Sequence, residues 1–169
     1  MNHPSKTLPS AQERPERVRL SCQFERPTAI AREIAALSKR HHAEGGTKYE
    51  PYSPDWERYH QLDRMGLLAA WTARPIGGHA LAGYVIWIVS PGIHCTETLI
   101  ADAKLFYLAP EWRDGLTGYK FLKSAIEAIR AAANPGIIRM ETNDLYEGGR
   151  VGALIRRLGG KQVGSVFHL

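Results

Sequence analysis

The stretch from Leu99 to Ala133 reads LIADAKLFYLAPEWRDGLTGYKFLKSAIEAIRAAA, and it decides the fold. It joins an apolar strand, which ends near Leu108, through a loop with two glycines to a long amphipathic helix. The first turn of a helix has amide N–H groups without intrahelical partners, and the aligned peptide dipoles place partial positive charge there. This arrangement therefore predicts an anion site suited to a phosphate or a pyrophosphate.

The length and composition of the chain indicate one soluble globular domain. A chain of 169 residues can bury a single sizeable core, and its apolar content is ordinary. The longest apolar run, Ala80 to Val89, is too short to cross a bilayer, and Met1 to Arg19 lacks the apolar segment of a signal peptide. We therefore expect a cytoplasmic protein without a membrane segment.

Charge and cysteine content narrow the function only slightly. The formal net charge of +5 suits a nucleic acid, an acidic protein or a phosphate-bearing ligand. Cys22 and Cys95 are far apart in the sequence, and we expect both to be free thiols. The histidines of the His41-His42 pair point different ways and lack a suitably spaced third ligand, so we predict no metal site.

Hydrophobic periodicity predicts a disordered tail over residues 1–17 and one domain over residues 18–169. Strands are predicted over Val18–Phe24, Leu67–Thr72, Ala80–Val89, Leu99–Leu108, Ile137–Thr142 and Gln162–Leu169. Four helices are predicted: one capped by Thr28 and ended by Gly45-Gly46, one with Ser53 as its N-cap and a stop at Gly66, one between the glycine loop and Asn134, and one over Val151–Leu158.

This order of elements resembles the GNAT superfamily of N-acetyltransferases over essentially the whole chain after Val18. The resemblance implies an α+β fold in which helices flank a central, mostly antiparallel mixed sheet. The coenzyme A signature of that family is Arg or Gln, two residues, Gly, one residue, then Gly or Ala. Arg113 and Gly118 match it, whereas Leu116 stands at the inner glycine and Gly115 comes one residue early.

The resemblance implies that acetyl-CoA is the co-substrate and that the glycine loop holds its pyrophosphate. It also implies that the pantetheine arm pairs like an added strand with the main chain near Phe106 and Leu108, where the two neighbouring strands splay. Asn143 would reach the same arm, although an Asn at a strand end is also typical of a turn. The implied cofactor-binding residues are Phe106, Tyr107, Leu108, Arg113, Asp114, Gly115, Leu116, Thr117, Gly118 and Asn143.

The same resemblance places a catalytic base, or a residue that orients a water, at Asp102. That acid lies on the long strand, eleven residues before the loop arginine. The residues themselves leave a second interpretation open, in which Asp102 pairs with Lys104 on the same strand face. Glu97 is a weaker candidate base because it precedes the strand, and Glu111 is expected to be a solvated loop residue.

The general acid is not evident from the sequence. Ile155 occupies the position at which the family often has a tyrosine that protonates the leaving thiolate. Tyr146 or a water is a substitute, and the low pKa of a thiol, about 8.5, also permits the thiolate to leave unassisted. The stretch from Lys48 to Ser53 corresponds to the segment that shapes the acceptor site in the family.

We therefore expect an N-acetyltransferase that acts on a primary amine of a small molecule or a protein. A binding module that has lost catalysis is one alternative. Nucleic-acid binding is another, but it is disfavoured because no aromatic residues interleave with the charges of Arg150, Arg156, Arg157 and Lys161. The compact ending resembles short GNAT proteins of bacteriophage genomes, and it leaves room for one final strand where the family has two. The second strand is either absent or supplied by a partner chain in a homodimer.

Overall fold

A computed structural model describes residues 19–45, 51–141 and 149–164. In these ranges a five-stranded sheet has the order β1-β2-β3-β4-β5, antiparallel up to β4 and parallel between β4 and β5. The strands are β1 (Leu20–Glu25), β2 (Leu68–Pro75), β3 (Gly83–Pro91), β4 (Leu99–Leu108) and β5 (Ile137–Met140). The helices are α1 (Ala31–Gly45), α2 (Trp56–Arg64), α3 (Thr117–Ala133) and α4 (Arg150–Arg157), with a 3₁₀ turn at Pro110–Trp112.

The two predicted N-caps are wrong. α1 begins only after a turn in which the amides of Ala29 and Ile30 donate to the carbonyl of Arg26, and the Thr28 hydroxyl donates to Asp63 instead of capping. α2 is capped by Asp55 rather than by Ser53. The Asp55 carboxylate accepts the third following amide at 2.9 Å, which is the usual geometry of an N-cap.

The end of the domain also differs from the prediction. β5 stops at Met140, two residues before the predicted end. Residues 162–164 of the predicted last strand form no strand, and residues 165–169 lie outside the described ranges, as does the tail over residues 1–17. The second strand that a homodimer would supply therefore stays a prediction.

Helices cover both faces of the sheet, as predicted. Ile34 and Leu37 of α1 are buried against Tyr84 and Ile86 of β3, with α2 packed at the border of the same cluster. The opposite face of β3 is covered by α3, whose Phe121, Ala125 and Ile129 are buried there. Of the helices in the described ranges, none combines the length and apolar character that a bilayer crossing needs. Cys22 and Cys95 are free thiols, as expected.

A β-bulge at Lys104 divides β4 into two halves. Ile86 of β3 is paired with Leu105, but the next residue, Trp87, is paired with Ala103, so Lys104 is an extra residue on β4. Because side chains alternate along a strand, the extra residue reverses which positions face which helix. Before the bulge Ala101 and Ala103 face α3. After it, the α3 face is taken by Phe106 and Leu108, while Leu105 and Tyr107 face α1.

An ion-pair cluster fastens the first half of α1 to the sheet. The guanidinium of Arg74 on β2 donates to the carboxylates of Glu25 on β1, at 2.8 Å, and of Glu33 on α1, at 2.6 Å. These hydrogen bonds raise the pKa of Arg74 further above its usual range. The position of α1 over β1 and β2 is therefore set by charge pairing as well as by apolar packing.

Close packing at the start of β3 requires Gly83. A Cβ atom there would lie 2.8 Å from the carbonyl oxygen of Tyr107 and 2.9 Å from a methyl carbon of Leu108. We predict that Gly83→Ala lowers the free energy of unfolding by about 1–3 kcal/mol, the usual cost of overpacking. Urea denaturation measures this. The control is Gly45→Ala, where a Cβ meets no atom within 4 Å, and an equal loss in both variants would contradict the packing argument.

Candidate functional site

In the glycine loop, the backbone conformation that requires a glycine occurs at Gly115. This residue has a φ of +55°, in the left-handed region that favours glycine. Leu116 has a φ of −98°, which any residue adopts readily. The shift of the glycine by one position therefore keeps a glycine where the backbone of this loop requires one.

The loop and the first turn of α3 present a group of main-chain donors. The amides of Gly115, Leu116, Gly118 and Tyr119 donate to no main-chain carbonyl of the described residues. The N-cap of α3 is Leu116, whose apolar side chain makes no capping hydrogen bond. A Cβ atom on Gly118 would meet only a methyl carbon of Leu154, at 3.9 Å. The arrangement suits an anion that approaches the main chain closely.

The second half of β4 has an open edge on the side of β5. The amide of Ala109 donates to the carbonyl of Ala82 at 2.8 Å, so by the alternation of an antiparallel ladder Tyr107 also pairs with β3. The main-chain polar groups of Phe106 and Leu108 then point away from β3. β5 pairs only with residues 100–103, so among the described strands nothing covers this edge. The Leu108 carbonyl already accepts from Arg113 Nε, so the main chain of Phe106 and the amide of Leu108 are the hydrogen-bonding positions left for an extended ligand.

Arg113 is directed toward α1. Its Nε donates to the carbonyl oxygen of Leu108 at 2.7 Å, and its guanidinium lies 2.7 Å from the carboxylate of Glu44. The guanidinium also lies over the ring of Tyr107, 5.1 Å from the ring centre. These contacts show the Arg113 side chain joining three elements: the end of β4, the loop and α1.

Glu44 and His41 complete a polar cluster between α1 and β4. The Tyr107 hydroxyl donates to Glu44, and the His41 ring stacks on the Tyr107 ring with centres 4.6 Å apart. His41 Nδ1 lies 3.1 Å from the hydroxyl of Tyr84. Burial, together with the Glu44 carboxylate, raises the pKa of Tyr107 to about 12. Burial lowers the pKa of His41 to about 4, and the positive charge of Arg113 acts in the same direction.

Glu44 is not among the site residues that the sequence predicts, and His41 enters there only as a metal-ligand candidate that is set aside. The one available signal was an acid in the last turn of a helix, where the helix dipole disfavours negative charge unless a cation pairs with it. Glu111, expected to be solvated, is exposed but also forms a two-point ion pair with Arg40 at 2.9 and 3.1 Å. The described residues contain no group of three His, Cys, Asp or Glu side chains that could hold a metal ion.

Asp102 lies on the first half of β4, on the sheet face that α1 and α2 cover farther along. Its Oδ2 is 2.6 Å from the Lys104 ammonium, so the pairing that the sequence left open is present. Its Oδ1 is buried and has no hydrogen-bond partner among the described residues. Lys104 also lies 3.6 Å from Glu141 at the end of β5. The hydrogen bond from Lys104 to Asp102 raises the pKa of the lysine.

The remaining predicted site residues are only partly placed. Asn143, Tyr146 and residues 48–50 of the acceptor segment lie outside the described ranges. Tyr52, in the same segment, is attached to α1 through its hydroxyl, which is 2.7 Å from Ser38 Oγ and donates to the carbonyl of Ala35. Asp114 lies in the loop, where its carbonyl accepts the amide of Thr117.

Comparisons with known proteins give a fold but no sequence relative. No protein-family model matches the chain, and no curated protein matches it significantly in sequence. Its structure is similar to that of a ribosomal-protein-alanine N-acetyltransferase from Brucella melitensis biovar Abortus 2308, with a TM-score of 0.64 and 17% identity over 89% of this chain and 98% of the other.

Two further solved structures are similar. An aminoglycoside acetyltransferase from an uncultured soil metagenomic sample has a TM-score of 0.67 and 15% identity over 89% of this chain and 97% of the other. A predicted acetyltransferase from Clostridium acetobutylicum, solved with acetyl-CoA, has a TM-score of 0.64 and 13% identity over 89% and 96%. These similarities confirm the expected fold: the chain has the fold of the GNAT N-acetyltransferases.

The half-buried His41 makes stability depend on pH. Its pKa is near 6.5 in an unfolded chain and about 4 in the fold. As the pH falls below about 6.5, the imidazole is therefore protonated in the unfolded state while it stays neutral in the folded state, and this stabilises the unfolded state. The loss begins below the unfolded pKa and is complete once the pH has fallen through about 4. We predict that the titration of His41 alone lowers the free energy of unfolding by roughly 3 kcal/mol over that pH range.

Urea denaturation near pH 7 and near pH 4.5 measures this effect. His41→Gln lacks the titrating ring and is expected to lose less stability between the two pH values than the unmodified chain. His60→Gln, at an exposed position of α2, is the matched control and is expected to behave like the unmodified chain. An unchanged pH dependence in His41→Gln would show that the ring does not titrate as described.

Proposed function

We propose that this protein is an acetyl-CoA-dependent N-acetyltransferase that transfers the acetyl group directly to a primary amine of a small molecule or a protein. One observation carries the proposal: the loop amides that donate to no main-chain carbonyl of the described residues continue into the open main-chain edge at Phe106 and Leu108. An anion-binding turn joined to an edge that accepts an extended chain suits a ligand with a pyrophosphate and a pantetheine arm.

The residues divide into those that bind and those that act. The main chain of residues 115–119 would hold the pyrophosphate, and Phe106 and Leu108 would pair with the arm. Tyr107 and Arg113 hold these segments in place, because both side chains donate hydrogen bonds to Glu44 of α1. Coenzyme A supplies an activated acyl group as a thioester, which is the chemistry that a free amine requires for amide formation.

Asp102 is the proposed base. A lysine-like amine has a pKa near 10.4, so only a small fraction is neutral near pH 7, and a carboxylate within reach that accepts the proton accelerates attack. The buried, unpartnered Oδ1 of Asp102 supports this role, because a buried acceptor without a donor is unusual and costs free energy. The attacking amine would come from the sheet face on which Asp102 and Glu141 lie.

A second candidate is a binding module that retains coenzyme A binding without turnover. Ile155, at the position of the usual tyrosine acid, favours it. The nucleic-acid alternative has less support, because the guanidinium of Arg157 lies over the ring of Tyr119, 4.8 Å from its centre, and is thus already engaged within the fold. The cytoplasmic location, the bacteriophage-like origin and the homodimer stay predictions from the sequence.

The similar solved structures suggest which acceptors to try first. They include proteins named for the alanine of a ribosomal protein and for aminoglycosides, which present primary amines of two different kinds. A screen would therefore begin with peptides that carry a free N-terminal amine and with aminoglycosides. Release of free thiol from acetyl-CoA reports transfer to either class.

Blocking the loop tests cofactor binding. We predict that acetyl-CoA binds in the micromolar range, and that Leu116→Trp abolishes binding because a large ring at the N-cap of α3 covers the free amides. Calorimetric titration measures both. Ile93→Trp, which adds the same ring at an exposed position in the turn before β4, is expected to bind normally. No binding by the unmodified chain would refute the proposed function.

Replacing the proposed base tests catalysis separately. We predict that Asp102→Asn lowers kcat about 100-fold or more, the usual contribution of a positioned base, while the Kd for acetyl-CoA stays the same because main-chain groups form that site. Glu97→Gln is the matched control, since Glu97 lies in the exposed turn before β4. A loss of rate in Glu97→Gln but not in Asp102→Asn would reassign the base.

A further inference from the structure

A lysine lies beside the proposed base, at the point where β4 bulges. Lys104 Nζ is 2.6 Å from Asp102 Oδ2 and 3.6 Å from Glu141 Oε1. The ammonium is thus a primary amine of the chain itself, held against the same carboxylate that would deprotonate an acceptor. Its side chain is 40% exposed, so a reagent can reach it.

The place of Lys104 along β4 is as informative as its partners. The open edge runs from Leu108 to Phe106, and pairing with β5 begins at Ala103, opposite Met140. Lys104 lies between these two segments, at the end of the open edge that is farther from the phosphate loop. Since β4 advances about 3.3 Å per residue, Lys104 lies roughly 13 Å along the strand from Leu108.

We infer that Lys104 is itself an acceptor of the acetyl group, so that the protein acetylates its own chain at the bulge of β4. The inference rests on the proposed function and names a substrate of the same site. Two observations carry it: the amine touches the carboxylate of Asp102, and it lies where the open edge of β4 ends.

The group transfer balances without a further reactant. Asp102 accepts one proton from the Lys104 ammonium, and the nitrogen lone pair attacks the thioester carbon. The carbon–sulfur bond breaks as the amide bond forms, the sulfur leaves as a thiolate, and the second nitrogen proton is lost to solvent or to that thiolate. The products are N-acetyl-lysine, free coenzyme A and one proton.

Acetylation would change the site for other acceptors. An acetylated Lys104 carries no charge, so it no longer forms ion pairs with Asp102 and Glu141. Both carboxylates would then be available to bind the ammonium of a free acceptor. Self-acetylation would thus remove the Lys104 ammonium that neutralises the two carboxylates, and the site would then attract the ammonium of an acceptor.

The test is a labelling time course on the purified full chain with deuterium-labelled acetyl-CoA, followed by peptide mass spectrometry. The label separates new acetyl groups from any acquired during expression. The variants are Lys104→Arg, Leu116→Trp, which blocks the loop, and Lys123→Arg, on the outer face of α3 and paired with Glu127. In the unmodified chain we expect Lys104 to be labelled about 100-fold faster than Lys123 or any other lysine, in line with assistance from a base. Lys123→Arg is expected to label Lys104 at the same rate as the unmodified chain.

The variants distinguish enzymatic from chemical labelling. Leu116→Trp is expected to label Lys104 only at the rate of the exposed lysines, and Lys104→Arg is expected to lose the fast label without gaining one elsewhere. Fast labelling of Lys104 that persists in Leu116→Trp would overturn the inference, because it would show simple chemical reactivity. Labelling no faster than that of Lys123 in the unmodified chain would overturn it too.

Failure of the inference is distinguishable from failure of the proposed function. If acetyl-CoA binds and a free amine is acetylated while Lys104 stays unlabelled, only self-acetylation is refuted. If acetyl-CoA does not bind in calorimetric titration, the proposed function and self-acetylation are both refuted. If fast, loop-dependent labelling of Lys104 is the only transfer observed, self-acetylation stands and the catalytic machinery is shown to work.

Discussion

The extra residue at Lys104 is the constraint on which the rest of the site depends. If Lys104 were paired in regular alternation instead of bulging, Leu105 and Tyr107 would continue the α3 face of Ala101 and Ala103. With the bulge, Tyr107 faces α1 instead, while Phe106 and Leu108 turn toward α3. The bulge therefore decides which aromatic ring meets the polar cluster at the end of α1.

The site also depends on the position of α1, which ion pairs attach to the sheet and the loop at both ends of the helix. Near its start, Glu33 binds Arg74 of β2. Near its end, Glu44 binds Arg113 and Tyr107, so the last turn of α1 supports both the end of β4 and the start of the loop. The half-buried ring of His41 lies in the same cluster and makes this contact sensitive to acid. The loop is thus supported by a helix far from it in sequence.

Proposed cofactor binding and proposed catalysis depend on different parts of the chain. Binding relies on main-chain groups, the loop amides and the free edge at Phe106 and Leu108, which any side chains with suitable backbone geometry supply. This explains how the loop retains a usable shape with Leu116 at the usual glycine, since the positive φ falls on Gly115. The proposed catalysis and self-acetylation would instead depend on particular side chains, those of Asp102 and Lys104.

The sequence by itself determined the order of elements, the inward faces of α1 and α3 and the position of the loop, because periodicity, glycines and helix stops are local signals. The family resemblance named Asp102 as a candidate base, which stays a prediction, and the residues left its pairing with Lys104 open. Only the tertiary structure decided that β4 bulges at Lys104, that Asp55 rather than Ser53 caps α2, and that Glu44 joins Arg113 and Tyr107. A bulge depends on register with a neighbouring strand, and an ion pair between residues 69 positions apart depends on packing, so neither leaves a signal in the local sequence.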